Sequence, residues 1–315
     1  MPKPSPSTAG QRPSAQPAGK RRGATPAETV IEEIRAGQSI ALLKELHILT
    51  QDGKLNQDTR RKLKQVYHLY QFIEPLIEAV RASGADVTLA DHGAGKSYLG
   101  FILYDLFYNV AHAGEPVAGR IFGIETRAEL VEKSRVLAAR LGFANMTFVN
   151  ATVAEATNSS DLPPTIAIVT ALHACDTATD DAIAFGLAKR AKHMVLVPCC
   201  QAEVAGVLKQ NKVLALRKTP LAELWRHPLH TREFGSQITN VLRCLQLEAS
   251  GYDVTVTELV GWEHSMKNEL IRASLPGQPN AAKTRDAAAR LAAVLGELGL
   301  DALTARFSVA QPGVA

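Results

Sequence analysis

The sequence contains no stretch of about 18 apolar residues, so no membrane-spanning helix is expected. Cysteine is scarce: Cys175, Cys199, Cys200 and Cys244 are the only four among 315 residues. Four clustered thiols do not make a disulfide framework, and a reducing cytoplasm is the expected location. Acidic residues are absent from positions 1–27, where Lys3, Arg12, Lys20, Arg21 and Arg22 give +5. The whole chain is +4, so the remainder carries −1, and the high isoelectric point belongs to a tail rather than to a basic body. An apolar stretch after this positive start is also missing, which excludes a signal peptide. Five prolines in the first 17 residues oppose an amphipathic transit helix. Residues 1–25 therefore read as a disordered basic arm, either solubilising or weakly attractive to RNA or DNA phosphates.

Hydrophobic residues at 46% and charged residues at 21% are ordinary for a globular chain and exclude a fibrous or mainly disordered one. Order is expected from Thr25-Pro26, a capping residue followed by proline at the first helical position. Short helices are predicted over 26–36 and 39–49, a turn at Asp52-Gly53, and a long helix over 58–82 capped by Asp58 and kinked at Pro75. Leu63, Val66, Tyr67, Tyr70, Ile73, Ile77 and Val80 share one face of that helix. Residues 26–82 thus form a helical N-terminal extension, a lid or buttress.

After Gly84 the pattern changes. Strand-like runs at 87–90, 121–124, 146–149, 166–170, 194–197, 254–260 and 270–273 alternate with helical stretches at 97–110, 127–141, 178–191, 201–210 and 231–249. Strands alternating with helices mean an α/β fold with a mainly parallel sheet covered on both faces. Only residues 261–268 separate the last two strands, so they close the seven-stranded sheet as a β-hairpin with one strand antiparallel. The α/β domain spans 83–276. Residues 280–315 form a C-terminal helix and tail, the helix packing through Leu291, Val294, Leu295 and Leu298.

The strongest local signal is Leu89-Ala-Asp-His-Gly-Ala-Gly-Lys-Ser97, a strand running into a glycine turn and then a helix. Glycines there let backbone approach a ligand closely. A phosphate-binding P-loop fits poorly, because Asp91 and His92 occupy the stretch that would wrap a triphosphate with bare N–H groups. A dinucleotide fingerprint fails because its third glycine falls at Tyr98. S-adenosylmethionine (SAM) fits better. Its sulfonium and ammonium make an acid at the strand end attractive. A second acid, to hold ribose hydroxyls, is available at Glu125 in Ile121-Phe-Gly-Ile-Glu125. The 34 residues from Asp91 to Glu125 exceed the ~20 of a compact unit, which an insertion over 111–119 explains.

With these motifs in hand, residues 62–274 resemble a class I SAM-dependent methyltransferase. More narrowly, they resemble the methyltransferase-domain family of the eukaryotic methyltransferase-like proteins, related to the tRNA acceptor-stem 2′-O-methyltransferases. The matching residues are Asp91 to Leu99, Gly123-Ile-Glu125, Leu172-His-Ala-Cys-Asp176, Pro198-Cys-Cys200 and Lys267-Asn268. Asp176 stands where that family has glycine, and no zinc-finger module of the tRNA enzymes is present. The resemblance implies a Rossmann-like fold and SAM as cofactor. Its cofactor-binding group comprises Asp91, Gly93, Gly95, Glu125, Asn150 and Leu172.

The same fold makes the fourth and fifth strands neighbours, which brings His173, Cys175 and Asp176 beside Pro198, Cys199 and Cys200. His173, Asp176, Cys199 and Cys200 are the candidate catalytic residues. Three chemistries are open: His173 as general base, Cys199 or Cys200 as the nucleophile of pyrimidine C5 methylation, or zinc held by His173, Cys175 and the Cys pair. Adjacent cysteines seldom ligate one ion together, and the second C5 signature is missing, so a pocket wall without metal is favoured. The Asn/Asp-Pro-Pro-aromatic motif of amino-group methylation is absent, and the Lys-Asp-Lys-Glu tetrad of ribose methylation is incomplete. Lys62, Trp262 and Lys267 are candidate substrate contacts, Trp262 for stacking on a base or capping the pocket, Lys267 for a phosphate and Lys62 as a residue facing the same cleft. RNA is the favoured substrate class. A protein or small-molecule methyltransferase, or a non-catalytic SAM- or RNA-binding module, is the alternative.

Overall fold

The computed structural model describes residues 33–172, 174–199, 201–211, 220–259 and 268–309. The chain divides into two units, Met1–Ile34 and Arg35–Ala315, and the first lies almost wholly outside the described residues. The expected basic arm, the Thr25-Pro26 helix start and most of the 26–36 helix therefore also lie outside them.

The second unit opens with a short helix α1 (Ile40–Glu45), capped by the Ser39 side chain. It is shorter than the 39–49 expected. His47 takes a left-handed φ of +55° and Leu49 bridges to Leu55, so the chain turns back at once. The turn through Asp52-Gly53 forms, with Gly53 at φ +77° and its N–H on the Thr50 carbonyl. Helix α2 (Gln57–Ala82) follows. Its cap is Asn56, not the expected Asp58, because Asn56 and Thr59 satisfy each other's backbone N–H groups in a capping box. The helix continues through Pro75 and buries Leu63, Val66, Leu69, Tyr70, Ile73, Ile77 and Val80. That is the face the apolar spacing indicates, except that Tyr67 is half-buried.

The sheet comprises β1 (Val87–His92), β2 (Gly119–Glu125), β3 (Met146–Asn150), β4 (Ile168–Leu172), β5 (His193–Val197), β6 (Asp253–Glu258) and β7 (Glu269–Ser274). Its order is β3-β2-β1-β4-β5-β7-β6, with β7 antiparallel to both neighbours and the remaining pairs parallel. This is the Rossmann-like α/β sheet expected. The fourth strand sits two residues later than the spacing indicates. Ile166 and Ala167 give their N–H groups to Lys189 O and Thr88 Oγ1, while Leu172 still pairs with Val197. Glu125 and Asn150 are the last residues of their strands, in register with each other.

The covering helices are α3 (Tyr98–Tyr104), α4 (Ala128–Leu141), α5 (Val153–Asn158), α6 (Ala178–Ala188), α7 (Glu203–Asn211), α8 (Pro228–Ala249) and α9 (Ala281–Glu297). Helix α3 runs into a π-helical segment, Asp105–Ala111, where one regular helix over 97–110 was expected. Helix α5 escapes the periodicity because it has six residues, too few to show a period; its Thr152–Glu155 capping box is its signal. Ala90, Ala171, Ile183, Phe185, Leu196 and Ile271 form the core under one sheet face, and a second cluster joins α7, α8 and α9 through Leu208, Leu242 and Leu291. The C-terminal helix is thus packing, as its spacing indicates. Among the described residues no helix is long and apolar enough to cross a membrane.

Candidate active site

Strand β1 delivers Asp91 and His92 to the carboxyl edge of the sheet, where open α/β folds bind ligands. Gly93 and Gly95 take φ of +66° and +57°, which L side chains adopt only with strain. Ser97 is also left-handed, at φ +53°, directly before α3. The turn's amides are already committed. Ala94 N donates to Ile124 O at 3.1 Å, Gly95 N to Glu125 Oε2 at 2.8 Å and Ser97 N to Ala94 O at 2.7 Å. A P-loop needs such amides free for phosphate oxygens, so the geometry argues against that reading.

Asp91 is 2% exposed and accepts a hydrogen bond from Thr170 Oγ1 at 2.9 Å. Burial pushes its carboxyl up to about 7, with the bonds from Thr170 and the Gly100 amide acting in the opposite sense. A buried carboxyl poised between charge states suits a cationic ligand, which would favour its ionised form. The adjacent His92 is pushed down to about 4 by burial and stands neutral, tilted against Phe185 with ring centroids 5.9 Å apart.

Glu125 is crowded by donors. Thr126 Oγ1, Arg127 N and Arg127 Nε reach Oε1, while Gly95 N and Arg127 Nη2 reach Oε2, at 2.8–3.3 Å. Burial opposes its charge, but the Arg127 side chain, the Arg127 and Gly95 amides and the guanidinium's charge hold its carboxyl down at about 2. Five donors fill the roughly four lone-pair positions of a carboxylate. Of these donors the Arg127 guanidinium is the one a ligand would meet first, its side chain being 59% exposed. Arg127 was not among the residues the sequence singled out; its sole signal there is its place two residues after Glu125.

Asp91, Gly93, Gly95, Arg127 and Leu172 line a cavity of about 380 Å³, and α2 covers it with Lys62, Gln65 and Val66. The volume lies within the usual range for small-molecule sites, about 300–1,000 Å³. Lys62, expected from the sequence, is thus brought to the cavity. Asn150 is not: its Nδ2 donates to the Glu125 and Thr126 carbonyls at 3.0 and 2.8 Å, so it anchors the strand end that carries Glu125.

On the neighbouring strand ends, Ala174 packs against Gly93: a Cβ built there would lie 3.6 Å from Ala174 Cβ. Cys175 Sγ and Cys199 Sγ stand 3.3 Å apart. Asp176, at φ +50°, accepts the Ala202 and Glu203 amides at 2.8 and 3.2 Å, and so caps α7. Beneath these loops lies Arg243, 0% exposed. It grips both carboxylate oxygens of Asp180 at 2.7 Å and donates to Asp176 O at 2.8 Å and Asn240 Oδ1 at 3.1 Å. Asn240 reaches Glu269 on β7 and also accepts from Gln201, which accepts in turn from the Ser236 hydroxyl. Nothing in the sequence marks Arg243, since a lone arginine in a helix reads as solvated. His173, Cys200, Trp262 and Lys267 lie outside the described residues. Among the described residues, no group of three or more His, Cys, Asp or Glu side chains is arranged to hold a metal ion.

Residues 61–207 match the model of a methyltransferase-domain family. The matched segment, just under half of the chain, is similar to a methyltransferase domain. It runs from the cavity face of α2 through α7 and so contains Asp91, Glu125, Asp176 and Cys199. No curated protein matches the chain. Among solved structures, it is similar to magnesium protoporphyrin IX methyltransferase from Synechocystis PCC 6803 with bound S-adenosylhomocysteine. That match has 16% identity over 75% of this chain and 95% of that one, with a TM-score of 0.41. It is also similar to a precorrin-6y C5,15-methyltransferase from Geobacter metallireducens, at 19% identity over 60% and 80%, TM-score 0.34. Fibrillarin from Aeropyrum pernix with bound S-adenosylmethionine matches at 12% identity over 60% and 66%, TM-score 0.33. SAM fits the residues present: a buried acid, Asp91, and the glycine turn line the cavity, and the second acid, Glu125, stands behind Arg127, which lines it.

Proposed function

We propose that the protein methylates RNA, with Asp91, Gly93, Gly95 and Glu125 holding the methyl donor. The observation that carries the RNA reading is the cationic mouth of the cavity. Lys62 and Lys96 stand there exposed with no ion-pair partner among the described residues, beside Arg127. Unpaired cations around a cleft attract phosphates. The acid-free, +5 segment 1–27 adds a second, sequence-independent attraction.

When bound, the donor supplies an electrophilic methyl on a positively charged sulfur. Methyl transfer to an acceptor lone pair is the chemistry it would offer there. Such a transfer is intrinsically favourable, so positioning supplies much of the rate. In this proposal Asp91 favours the donor's positive charge, the glycine turn admits it closely, and Glu125 takes the ribose once Arg127 swings out. His173 is assigned the acceptor's proton. Asp176 acts through the α7 cap, as a positioning residue, and Cys199 contributes to the acceptor-side rim.

The test is tritium transfer from methyl-labelled donor into a fractionated cell lysate. Label in ribonuclease-sensitive material is expected. Label in protein or small molecules instead overturns the RNA assignment, and no label in any fraction favours a binding module. His173→Ala should lower turnover without weakening donor binding; an equal loss in both would remove it from the proton-transfer role.

A further inference from the structure

We propose that Cys175 and Cys199 are a peroxide-responsive thiol pair that forms an intramolecular disulfide and thereby switches methyl transfer off. The two residues come from loops after β4 and β5, adjacent parallel strands that pair at Leu172 and Val197. Their sulfurs are 3.3 Å apart, outside bonding distance. Closing to the roughly 2.05 Å of a disulfide requires only a little over 1 Å of relative movement.

Neither loop is loosely held. Asp176, next to Cys175, accepts the Ala202 and Glu203 amides three and four residues beyond Cys199, and Arg243 donates to the Asp176 carbonyl from below. The two thiols are therefore held near each other by hydrogen bonds in which neither sulfur takes part. Cys175 is exposed and Cys199 half-buried, so an oxidant meets Cys175 first.

The chemistry balances with a peroxide as co-reactant. The Cys175 thiolate attacks the peroxide; an S–O bond forms, the O–O bond breaks, and sulfenic acid and hydroxide result. The Cys199 thiolate then attacks the sulfenic sulfur. The S–S bond forms, the S–O bond breaks and a second hydroxide leaves. The two thiol protons convert both hydroxides to water. Protein disulfides of a reducing compartment are characteristically transient and sensory.

The crosslink ties together two loops, one of which places Ala174 against Gly93 of the glycine turn. Pulling the loops out of register by about 1 Å should cost on the order of 100-fold in turnover, the usual scale for such a misplacement at a reacting centre. The crosslink itself is independent of the methyl-transfer reading; its effect on turnover rests on that reading.

The experiment treats the full-length protein with hydrogen peroxide, alkylates remaining thiols and maps tryptic peptides by mass. Cys175 and Cys199 fall in different peptides, whereas Cys199 and Cys200 share one. The expected product is a crosslinked peptide pair lighter by two hydrogens, formed in Cys200→Ser, lost in Cys199→Ser and reversed by dithiothreitol. Linkage of Cys199 to Cys200, or alkylation of both Cys175 and Cys199 after peroxide, overturns the proposal. On the same samples, donor-to-RNA transfer should fall about 100-fold and recover on reduction, with Cys175→Ser resistant. Should that variant fold poorly, Cys175→Ala serves. A crosslink without loss of transfer removes the switch and leaves the thiol pair. Absence of transfer in the reduced protein counts against the methyl-transfer reading and leaves the mass result to judge the pair.

Discussion

The two halves of the sheet's carboxyl edge are held together by opposite means. At the glycine turn, short-range backbone bonds set the shape, and the carboxylate of Glu125 is met by the Gly95 amide and by an exposed guanidinium. At the thiol loops, a fully buried arginine joins helix α6 and the loop after β4, through partners 63 and 67 residues away, and its neighbour Asn240 extends the network to Gln201 and to Glu269 on β7. The first half commits its backbone amides and leaves one exposed side chain, Arg127, on its acid. The second encloses its polar groups around a guanidinium that solvent does not reach.

Breaking the second half should give the largest effect. Arg243→Met leaves Asp180 buried without its partner, and removal of one member of a buried pair costs about 3–5 kcal/mol. Urea denaturation of the variant should show that loss, and the double variant with Asp180→Leu should recover most of it. If the single variant is as stable as the native protein, the brace is not structural.

Much of this edge is legible in the chain, and the reason lies in distance. Asp91, Gly93, Gly95 and Glu125 act through their own strand ends and turns, so their spacing carries the signal. The strand succession, the closing hairpin and the buried face of α2 follow from hydrophobic periodicity. What failed was local competition: Asn56 beats Asp58 as the cap, His47 stops α1, and the Ile166 and Ala167 amides find partners outside the ladder. Asn150 shows the limit of placing a residue by strand end alone, because its amide is taken by two backbone carbonyls.

The first half makes smaller, sharper predictions. Asp91, raised to about 7, is protonated below neutrality in the free protein, and a cationic donor favours its ionised form. Donor affinity measured by calorimetry should therefore fall as pH drops below 7, approaching tenfold per pH unit, and be flat above. The sign for folding is related. A carboxyl raised from its ordinary value makes Asp91 a source of instability that grows from about pH 4 to 7, so Asp91→Asn should gain stability at neutral pH while losing donor affinity and its pH dependence. An unchanged pH profile in Asp91→Asn would separate Asp91 from the donor's charge.

Smaller still, Lys62→Ala and Lys96→Ala should each weaken RNA binding across sequences and reduce the salt slope by about 1. Filter binding at several ionic strengths measures both. A sequence-selective loss would make these lysines base readers instead. The smallest effect belongs to Arg127→Ala. It frees Glu125 from the one partner whose side chain is 59% exposed, so donor binding should tighten up to about a few-fold. Weaker binding would make Arg127 a ligand contact and blur the contrast between the halves.

By itself the sequence determines the alternation of strands and helices, the glycine turn with its two acids, and the presence of reactive groups on two strand ends. These depend on neighbours within a strand, a turn or a helical period, whose chemistry is carried by adjacent letters. Only the tertiary structure decides that Asp176 caps α7, that Arg127 saturates Glu125, that Cys175 meets Cys199, and that Arg243 lies buried beneath them. Apart from the Arg127 contact, each is a meeting of side chains and loops brought together by parallel strand pairing and helix packing. The energy of such a meeting comes from burial and hydrogen-bond geometry, which have no period along the chain.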